Sequence, residues 1–175
     1  MFQKLFPKEY YDSTYHIDFA QFYKQGYRAV LFDVDNTLVE HDAPADAKAK
    51  KLIEYLKTLG FGVCFVSNND EARVKMFNDA VDATYVFKAG KPSARGYEAA
   101  MKKLGTNKEN TLFVGDQIFT DIWGANNAGL HSILVQPIAK HEEIQIVLKR
   151  IPEKWILHCY LKKHSLKTGN KEKGA

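Results

Sequence analysis

Long hydrophobic runs and paired cysteines are the features that this 175-residue chain lacks. No stretch approaches the roughly 18 consecutive apolar residues that a membrane-spanning helix needs. The two cysteines are Cys64 and Cys159, and Cys64 lies inside an apolar run, so the sequence has no disulfide framework. The N-terminal stretch MFQKLFPKEYYDS has no continuous apolar core of a signal peptide. These absences exclude membrane-spanning and disulfide-rich secreted classes and favour a reducing cytoplasm.

Net charge is also small for a chain of this length. The 25 Lys and Arg residues against 21 Asp and Glu residues give a formal charge of +4, which does not by itself indicate nucleic-acid binding. Hydrophobic residues make up 45% and charged residues 26% of the chain, as in an ordinary globular domain with a sizeable core. The six histidines have no metal-ligand spacing, and there is no internal repeat. One domain with short extensions is therefore expected.

Short apolar runs alternate with helical patterns along the chain. The runs predict strands over 27–33, 61–67, 83–87, 110–116 and 131–136. The patterns between them predict helices over 44–60, 69–80, 92–105 and 119–130. The strands are apolar throughout, which is typical of strands covered on both faces. We therefore expect an α/β fold, a three-layer α/β/α sandwich with a mainly parallel sheet.

Polar residues stand where these predicted strands end. Asp33 and Asp35 close the first run, AVLFDVDNTLVEHD, although two carboxylates one residue apart repel each other at a buried strand end. Ser67 ends the second run, Lys91 follows the third and Asp116 ends the fourth. Because ligands of such folds bind beyond the carboxyl ends of the strands, we expect these groups to meet at one edge of the sheet.

The expected set of groups suits phosphoryl transfer. Asp33, Asp35 and Asp116 are hard oxygen ligands of the kind that Mg²⁺ prefers, and Lys91 is a compact cation suited to a phosphate. The metal and the lysine would offset the carboxylate repulsion and stabilise the charge on the transferring group. A carboxylate can act as nucleophile and form an aspartyl-phosphate. Asp35 can then serve as acid for the leaving group and as base for water.

Four short motifs occur in order along the chain, each after a predicted strand. They are DVDNT (33–37), VSNN (66–69), GKP (90–92) and GDQIFTD (115–121). Together they resemble motifs I to IV of the haloacid dehalogenase (HAD) superfamily, over roughly residues 27–136. The resemblance implies a HAD-like Rossmannoid fold, with Asp33 as the nucleophile and Asp35 as the acid/base. An aspartate at position 35 also favours phosphatases over dehalogenases in this superfamily.

The resemblance also implies roles for the remaining site residues. Phosphate binding is implied for Thr37, which also shapes the turn after the nucleophile, and for Ser67, Asn68 and Lys91. Mg²⁺ binding is implied for Asp33, the backbone carbonyl of Asp35, Asp116 and Asp121, the last in the outer shell. Three alternatives stay open from the residues themselves. Ser67 could cap the following helix, Asn68 could sit in a turn, and Asp121 could gain only from the helix dipole.

Two stretches narrow the resemblance. LFPKEYYDSTYHID and DNTLVEHD resemble the bacterial subfamily IIIA phosphatases of the YqeG type, whose eukaryotic relatives are mitochondrial phosphatidylglycerophosphate phosphatases. This implies a phosphorylated substrate such as phosphatidylglycerophosphate. A nucleic-acid-end or protein phosphatase would share every catalytic residue and stays an alternative. A non-catalytic module that binds RNA or an anionic partner is a second alternative, although the intact motif set argues against it.

The gaps where a HAD cap domain is commonly inserted are short in this chain. Residues 36–43 separate Asp35 from Pro44, and residues 88–90 separate the third predicted strand from Lys91. We therefore expect an open site without a cap domain. Such a site suits a large substrate or a headgroup presented by a membrane, and an oligomer partner acting as a lid is the alternative.

The two ends of the chain differ in composition from the rest. We expect an aromatic-rich extension over 1–26 that packs on the core, the phosphatase core over 27–148, and a basic extension over 149–175. Within the last, IPEKWILHCYLKKH (151–164) groups apolar residues before lysines and could lie on an anionic membrane surface. That would place the enzyme in the cytoplasm, on the inner face of the membrane. A solvated, partly disordered tail is the alternative.

Overall fold

One parallel sheet organises the protein in the computed structural model, which describes residues 2–139 and 152–163. Its strands are β1 (Glu9–Tyr11), β2 (Ala29–Phe32), β3 (Gly62–Val66), β4 (Thr84–Val86), β5 (Thr111–Gly115) and β6 (His131–Val135). They lie in the order β1-β6-β5-β2-β3-β4, and every neighbouring pair is parallel. The predicted α/β architecture with a mainly parallel sheet is confirmed.

Among the described residues, five α-helices lie between the strands in sequence, and a sixth follows the last strand. They are α1 (Phe19–Lys24), α2 (Ala47–Leu59), α3 (Glu71–Asn78), α4 (Arg95–Leu104), α5 (Trp123–Asn127) and α6 (residues 152–163). Sequence reasoning began the second of these at Pro44, but α2 starts three residues later because the Asp46 carboxylate accepts the Ala49 N–H at 2.8 Å and caps the helix. The predicted helix over 119–130 is a π-helical turn, Ile118–Ile122, that runs into the short α5.

The core lies on both faces of the sheet, as the uninterrupted apolar strands predict. On one face, Val30 and Phe32 of β2 join a cluster with buried residues of α1, α2 and α3. On the other face, Leu31 joins Tyr97 of α4 and Ala125 of α5. Because alternate side chains of β2 are fully buried on opposite faces, this central strand is held rigidly, and its C-terminal end gives the next residues of the chain a fixed position.

The N-terminal segment is more than an extension laid over the core. Its residues Glu9–Tyr11 form the edge strand β1, paired in parallel with β6. The EYY stretch is three residues long and begins with a glutamate, so it has no apolar run from which a strand could be predicted. Its residues are half-buried in the structure. Phe19 and Phe22 of α1 are buried in the main core cluster. The aromatic residues of this segment therefore serve packing, while the expected domain boundaries stay predictions.

The C-terminal helix α6 packs one face against the rest of the protein. Glu153, Ile156 and Tyr160 on this face are buried, and Ile156 joins a cluster with Ile118. The opposite face leaves Trp155 62% exposed. The other parts of the expected basic extension lie outside the described residues. Within the described part of the chain, no helix has both the length and the apolar character needed to span a membrane.

Two connections define access to the sheet edge. Residues 33–46 link β2 to α2, and residues 87–94 link β4 to α4. Both are short and contain no inserted domain. The carboxyl edge of the sheet is therefore free of a cap at the two predicted insertion points.

Candidate active site

Three carboxylates meet at the carboxyl edge of the central strands. Asp33 directly follows β2, and its backbone N–H donates to the carbonyl of Val114 at 3.0 Å. Asp116 directly follows β5, and Asp121 lies in the adjoining π-helical turn. One carboxylate oxygen from each of the three lies within 4.8 Å of the other two, and all three residues are buried. The structure thus brings together the acidic residues of motifs I and IV.

Lys91 lies inside this group of carboxylates. Its Nζ donates to Asp33 Oδ1 at 2.5 Å and to Asp121 Oδ1 at 2.7 Å, and its side chain is 3% exposed. Burial by itself would lower the pKa of the Lys91 ammonium, but the negative charges of Asp121 and Asp33 more than compensate and raise it above its ordinary value. Lys91 is therefore a fixed positive charge at neutral pH.

One ammonium does not balance three carboxylates. Burial, followed by the charges of Asp121 and Asp116, holds the pKa of Asp33 well above its ordinary value of 3.8, although the charge of Lys91 opposes the shift. A divalent cation would relieve this excess of buried negative charge. Carboxylate oxygens at this spacing are the donors that Mg²⁺ prefers, so the residues present fit the metal that the sequence implies.

Neighbouring groups orient the carboxylates. Thr37 Oγ1 donates to Asp116 Oδ1 at 3.1 Å, and the backbone N–H of Gln117 donates to Asp121 Oδ2 at 3.0 Å. A Cβ at Gly115 would lie 2.6 Å from the Cβ of Asp121, so only glycine lets this aspartate approach β5. Thr37 thus contacts a carboxylate, and the phosphate contact implied for it stays a prediction.

The motif II residues support Lys91 and the following loop. Ser67 is buried, and its Oγ accepts the N–H of Asn69 at 3.2 Å. Asp70, rather than Ser67, caps α3, so the helix-cap alternative for Ser67 is wrong. Asn68 donates to the Lys91 carbonyl at 3.1 Å and accepts the Lys91 N–H at 2.7 Å. Asn68 therefore positions the Lys91 backbone, and phosphate binding by Ser67 and Asn68 stays a prediction.

The Asp35 carboxylate lies in a second acidic group, apart from the first. Its Oδ1 accepts from Arg73 Nη2 at 2.6 Å and from the Asp42 N–H at 2.9 Å, and its Oδ2 accepts from Asn69 Nδ2 at 2.6 Å. The oxygens and nitrogens that cluster with it belong to His41 and Asp42. The side chain of Asp35 is thus held by three donors, and the metal role implied for its backbone carbonyl stays a prediction.

Sequence reasoning missed Arg73, Asn69 and Glu153. Asn69 is the last residue of motif II and Arg73 stands four residues after it, and this spacing is the one signal that could have marked them. Glu153 has no such signal. It is buried on α6, and its Oε1 accepts the Phe119 N–H at 3.1 Å, which braces the turn that carries Asp121.

A shallow groove borders motif III. It has a volume of about 630 Å³ and lies between the end of β4 and α4. Arg95 is exposed there beside Lys88 and Lys102. The groove has a basic lining with one carboxylate, that of Glu98.

Comparison with known proteins agrees with this geometry. The family model described as haloacid dehalogenase-like hydrolase matches residues 42–129, which hold motifs II to IV and begin after Asp33 and Asp35. The chain is 34% identical over 165 residues to "Probable phosphatase YqeG" of Bacillus subtilis, covering 93% of this chain and 96% of that protein. This chain belongs to the haloacid dehalogenase-like hydrolases. Within that family it is a phosphatase.

Two further proteins are similar to this HAD phosphatase, one in sequence and one in structure. It is 27% identical over 142 residues to "Phosphatidylglycerophosphate phosphatase 1, chloroplastic/mitochondrial" of Arabidopsis thaliana, covering 75% of this chain and 41% of that protein. The chain thus spans less than half the length of that relative. A crystal structure of a HAD phosphatase from Thermococcus onnurineus superposes with a TM-score of 0.52 at 12% identity, over 67% of this chain and 90% of that chain. That likeness shows the fold.

Proposed function

We propose that this HAD phosphatase is an Mg²⁺-dependent phosphomonoesterase that works through an aspartyl-phosphate on Asp33. The observation that carries the proposal is the buried group of Asp33, Asp116 and Asp121 around Lys91. A bound Mg²⁺ held by these carboxylates would supply charge neutralisation for the phosphoryl oxygens. Lys91 supplies a second, permanent positive charge at the same place.

The protein's own residues divide the reaction into two steps. Asp33 attacks phosphorus, the bond from phosphorus to the leaving oxygen breaks, and Asp35 gives that oxygen a proton. A water molecule that loses its proton to Asp35 then attacks phosphorus and releases inorganic phosphate and the free Asp33 carboxylate. Thr37 and Asn68 keep Asp116 and Lys91 in place during both steps.

A large or membrane-presented substrate, such as phosphatidylglycerophosphate, is the proposed physiological target. The uncapped sheet edge supports this proposal, and so does the name of the Arabidopsis relative. The exposed face of α6 supports it further, because Trp155 is 62% and Leu161 43% exposed and two lysines are exposed beside them, Lys154 and Lys162. Such a face suits an anionic bilayer and would hold the enzyme at the inner surface of the membrane.

A substrate panel tests the activity. We expect Mg²⁺-dependent release of phosphate, with phosphatidylglycerophosphate preferred over phosphorylated oligonucleotides, phosphopeptides and sugar phosphates. Asp33→Asn should reduce turnover at least about a thousandfold, whereas Asp79→Asn, at an exposed pair with Lys75, should not. Preference for nucleic-acid ends or phosphopeptides would replace the substrate proposal. Wild-type turnover in Asp33→Asn would refute the assignment of the nucleophile.

Flotation with anionic liposomes tests membrane docking. Since α6 packs on the core, we prefer the point variants Trp155→Ser and Leu161→Ser to truncation. Both should lower recovery with the vesicles. The matched control is Tyr55→Ser, which changes another exposed apolar residue, 46% exposed on α2. Equal recovery of all three variants and the wild type would contradict the docking role.

A further inference from the structure

Arg73 has donors that the fold leaves unused. Its side chain is 10% exposed, and its Nη2 donates to Asp35 Oδ1 at 2.6 Å. Its Nε and Nη1 are buried without a hydrogen-bond partner. An unsatisfied buried N–H of a charged group is costly, and such groups are rare in native proteins. Two unused donor nitrogens, Nε and Nη1, on one buried guanidinium beside the candidate active site therefore call for a ligand.

An exposed carboxylate stands next to one of these donors. Asp42 Oδ1 lies 3.4 Å from Arg73 Nε, close enough for an ion pair but not aligned for a hydrogen bond, and the Asp42 side chain is 68% exposed. Asp42 has a φ of 58°, in the left-handed region, within the short loop that follows Asp35. Its Oδ2 lies 3.0 Å from Nδ1 of the exposed His41. A carboxylate in such solvent-exposed pairs can give way to another anion, because it loses little when it returns to water.

The position of Arg73 relative to the reaction identifies that anion. In the proposed mechanism Asp35 protonates the leaving oxygen, so the substrate atoms beyond that oxygen lie on the side of Asp35. Arg73 touches Asp35 directly. We propose that Arg73 binds a second anionic group of the substrate, a phosphodiester or phosphate attached to the leaving alcohol, in the place beside Nε that Asp42 occupies. A planar, permanently charged guanidinium is suited to such an oxyanion.

This inference rests on the proposed function, since it uses the role of Asp35. It assigns a residue to the recognition of one substrate class, namely phosphomonoesters whose alcohol carries another phosphate. A lipid headgroup with an internal phosphodiester and a small bisphosphate share this chemistry. The experiment therefore compares glycerol 3-phosphate, which lacks the second anion, with propane-1,3-diyl bisphosphate and with phosphatidylglycerophosphate, both in vesicles and as its deacylated headgroup.

The measured quantity is the ratio of KM for glycerol 3-phosphate to KM for each substrate with two anionic groups. In the wild type this ratio should be about ten or more, as one charge-assisted contact predicts. Arg73→Gln keeps a donor for Asp35 but loses the charge, and it should bring the ratio close to one. Asp42→Asn removes the competing carboxylate and should raise the ratio. Calorimetric binding of the same compounds to the Asp33→Asn protein gives a readout that does not need turnover.

The outcomes separate the possibilities. If Arg73→Gln lowers the KM ratio equally for the vesicle-borne and the deacylated substrate, the contact is to the headgroup phosphodiester. If it lowers the ratio for the bisphosphate alone, the contact is to a terminal phosphate. An Arg73→Gln protein with lower kcat for every substrate and an unchanged KM ratio would overturn the subsite and leave Arg73 as a positioning residue for Asp35. A ratio that is unaffected by Asp42→Asn would overturn it too. Turnover of none of the four compounds by the wild type would refute the proposed function itself.

Discussion

The two acidic groups at the sheet edge are neutralised in different ways. Asp33, Asp116 and Asp121 form one buried group in which Lys91 pairs with Asp33 and Asp121, so the group has one ammonium for three carboxylates. Asp35 and Asp42 belong to a more exposed group that water and the guanidinium of Arg73 can stabilise. The difference teaches that burial, rather than the number of carboxylates, decides which group requires a cation.

The largest expected effect comes from removing the only positive charge among the described residues of the buried group. Lys91→Met leaves its carboxylates without a counter-charge and should lower the free energy of unfolding by about 3–5 kcal/mol in the absence of metal. Mg²⁺ should recover part of this loss. Urea unfolding with EDTA or with MgCl₂ measures both.

Lys75→Met is the matched control for that variant. Lys75 pairs with Asp79 at 2.7 Å, but both side chains are exposed. The free energy of unfolding of the Lys75→Met protein should therefore be nearly unchanged. If Lys91→Met and Lys75→Met unfold at the same urea concentration, the carboxylates of the buried group do not depend on Lys91 for charge compensation.

Asp35→Asn should change the stability of the metal-free protein in the opposite direction to Asp33→Asn. Loss of the Asp35 charge leaves the guanidinium of Arg73, 10% exposed, without its anionic partner and should destabilise the protein by about 1–3 kcal/mol. Asp33→Asn instead removes one of three crowded carboxylates and should stabilise the metal-free protein at neutral pH. Thermal unfolding in EDTA compares the two, and shifts of the same sign would break the contrast between the groups.

The pH dependence of stability sharpens the comparison further. Because burial raises the pKa of Asp33 above 3.8, the folded protein keeps a proton that the unfolded chain loses. Stability of the metal-free protein should therefore fall as pH rises from 3.8 through the raised pKa, by at most about 1.4 kcal/mol per pH unit. Asp33→Asn should lack this decline. Urea unfolding in EDTA at a series of pH values would reveal parallel curves if Asp33 were not responsible.

The smallest expected effect concerns orientation. Thr37→Val removes the hydroxyl that donates to Asp116 Oδ1. It should lower the free energy of unfolding by about 1 kcal/mol. It should also raise the Mg²⁺ concentration needed for half-maximal activity. Thr58→Val is the control, because its hydroxyl donates to the Glu54 carbonyl on the exposed side of α2. If the Mg²⁺ concentration for half-maximal activity changes equally in both variants, Thr37 does not orient a metal-binding carboxylate.

Much of the buried group could be predicted from the printed residues. Asp33 and Asp116 directly follow apolar strands, and Lys91 follows a third, so a parallel sheet places them at one edge. The edge strand β1 could not be predicted in this way, because its three residues are half-buried and have neither apolar periodicity nor length. The expected start of α2 at Pro44 is three residues early, because the residue that caps the helix is Asp46.

The order of strands and motifs in the sequence determined the fold, the family and the meeting of Asp33, Lys91 and Asp116, since parallel βα units bring their carboxyl ends to one side. Only the tertiary structure decided that Arg73 clamps Asp35, 38 positions away, and that Glu153 braces Phe119, 34 positions away. The physical reason is that these contacts depend on how whole helices pack and rotate against the sheet edge, which the local pattern of residues does not encode.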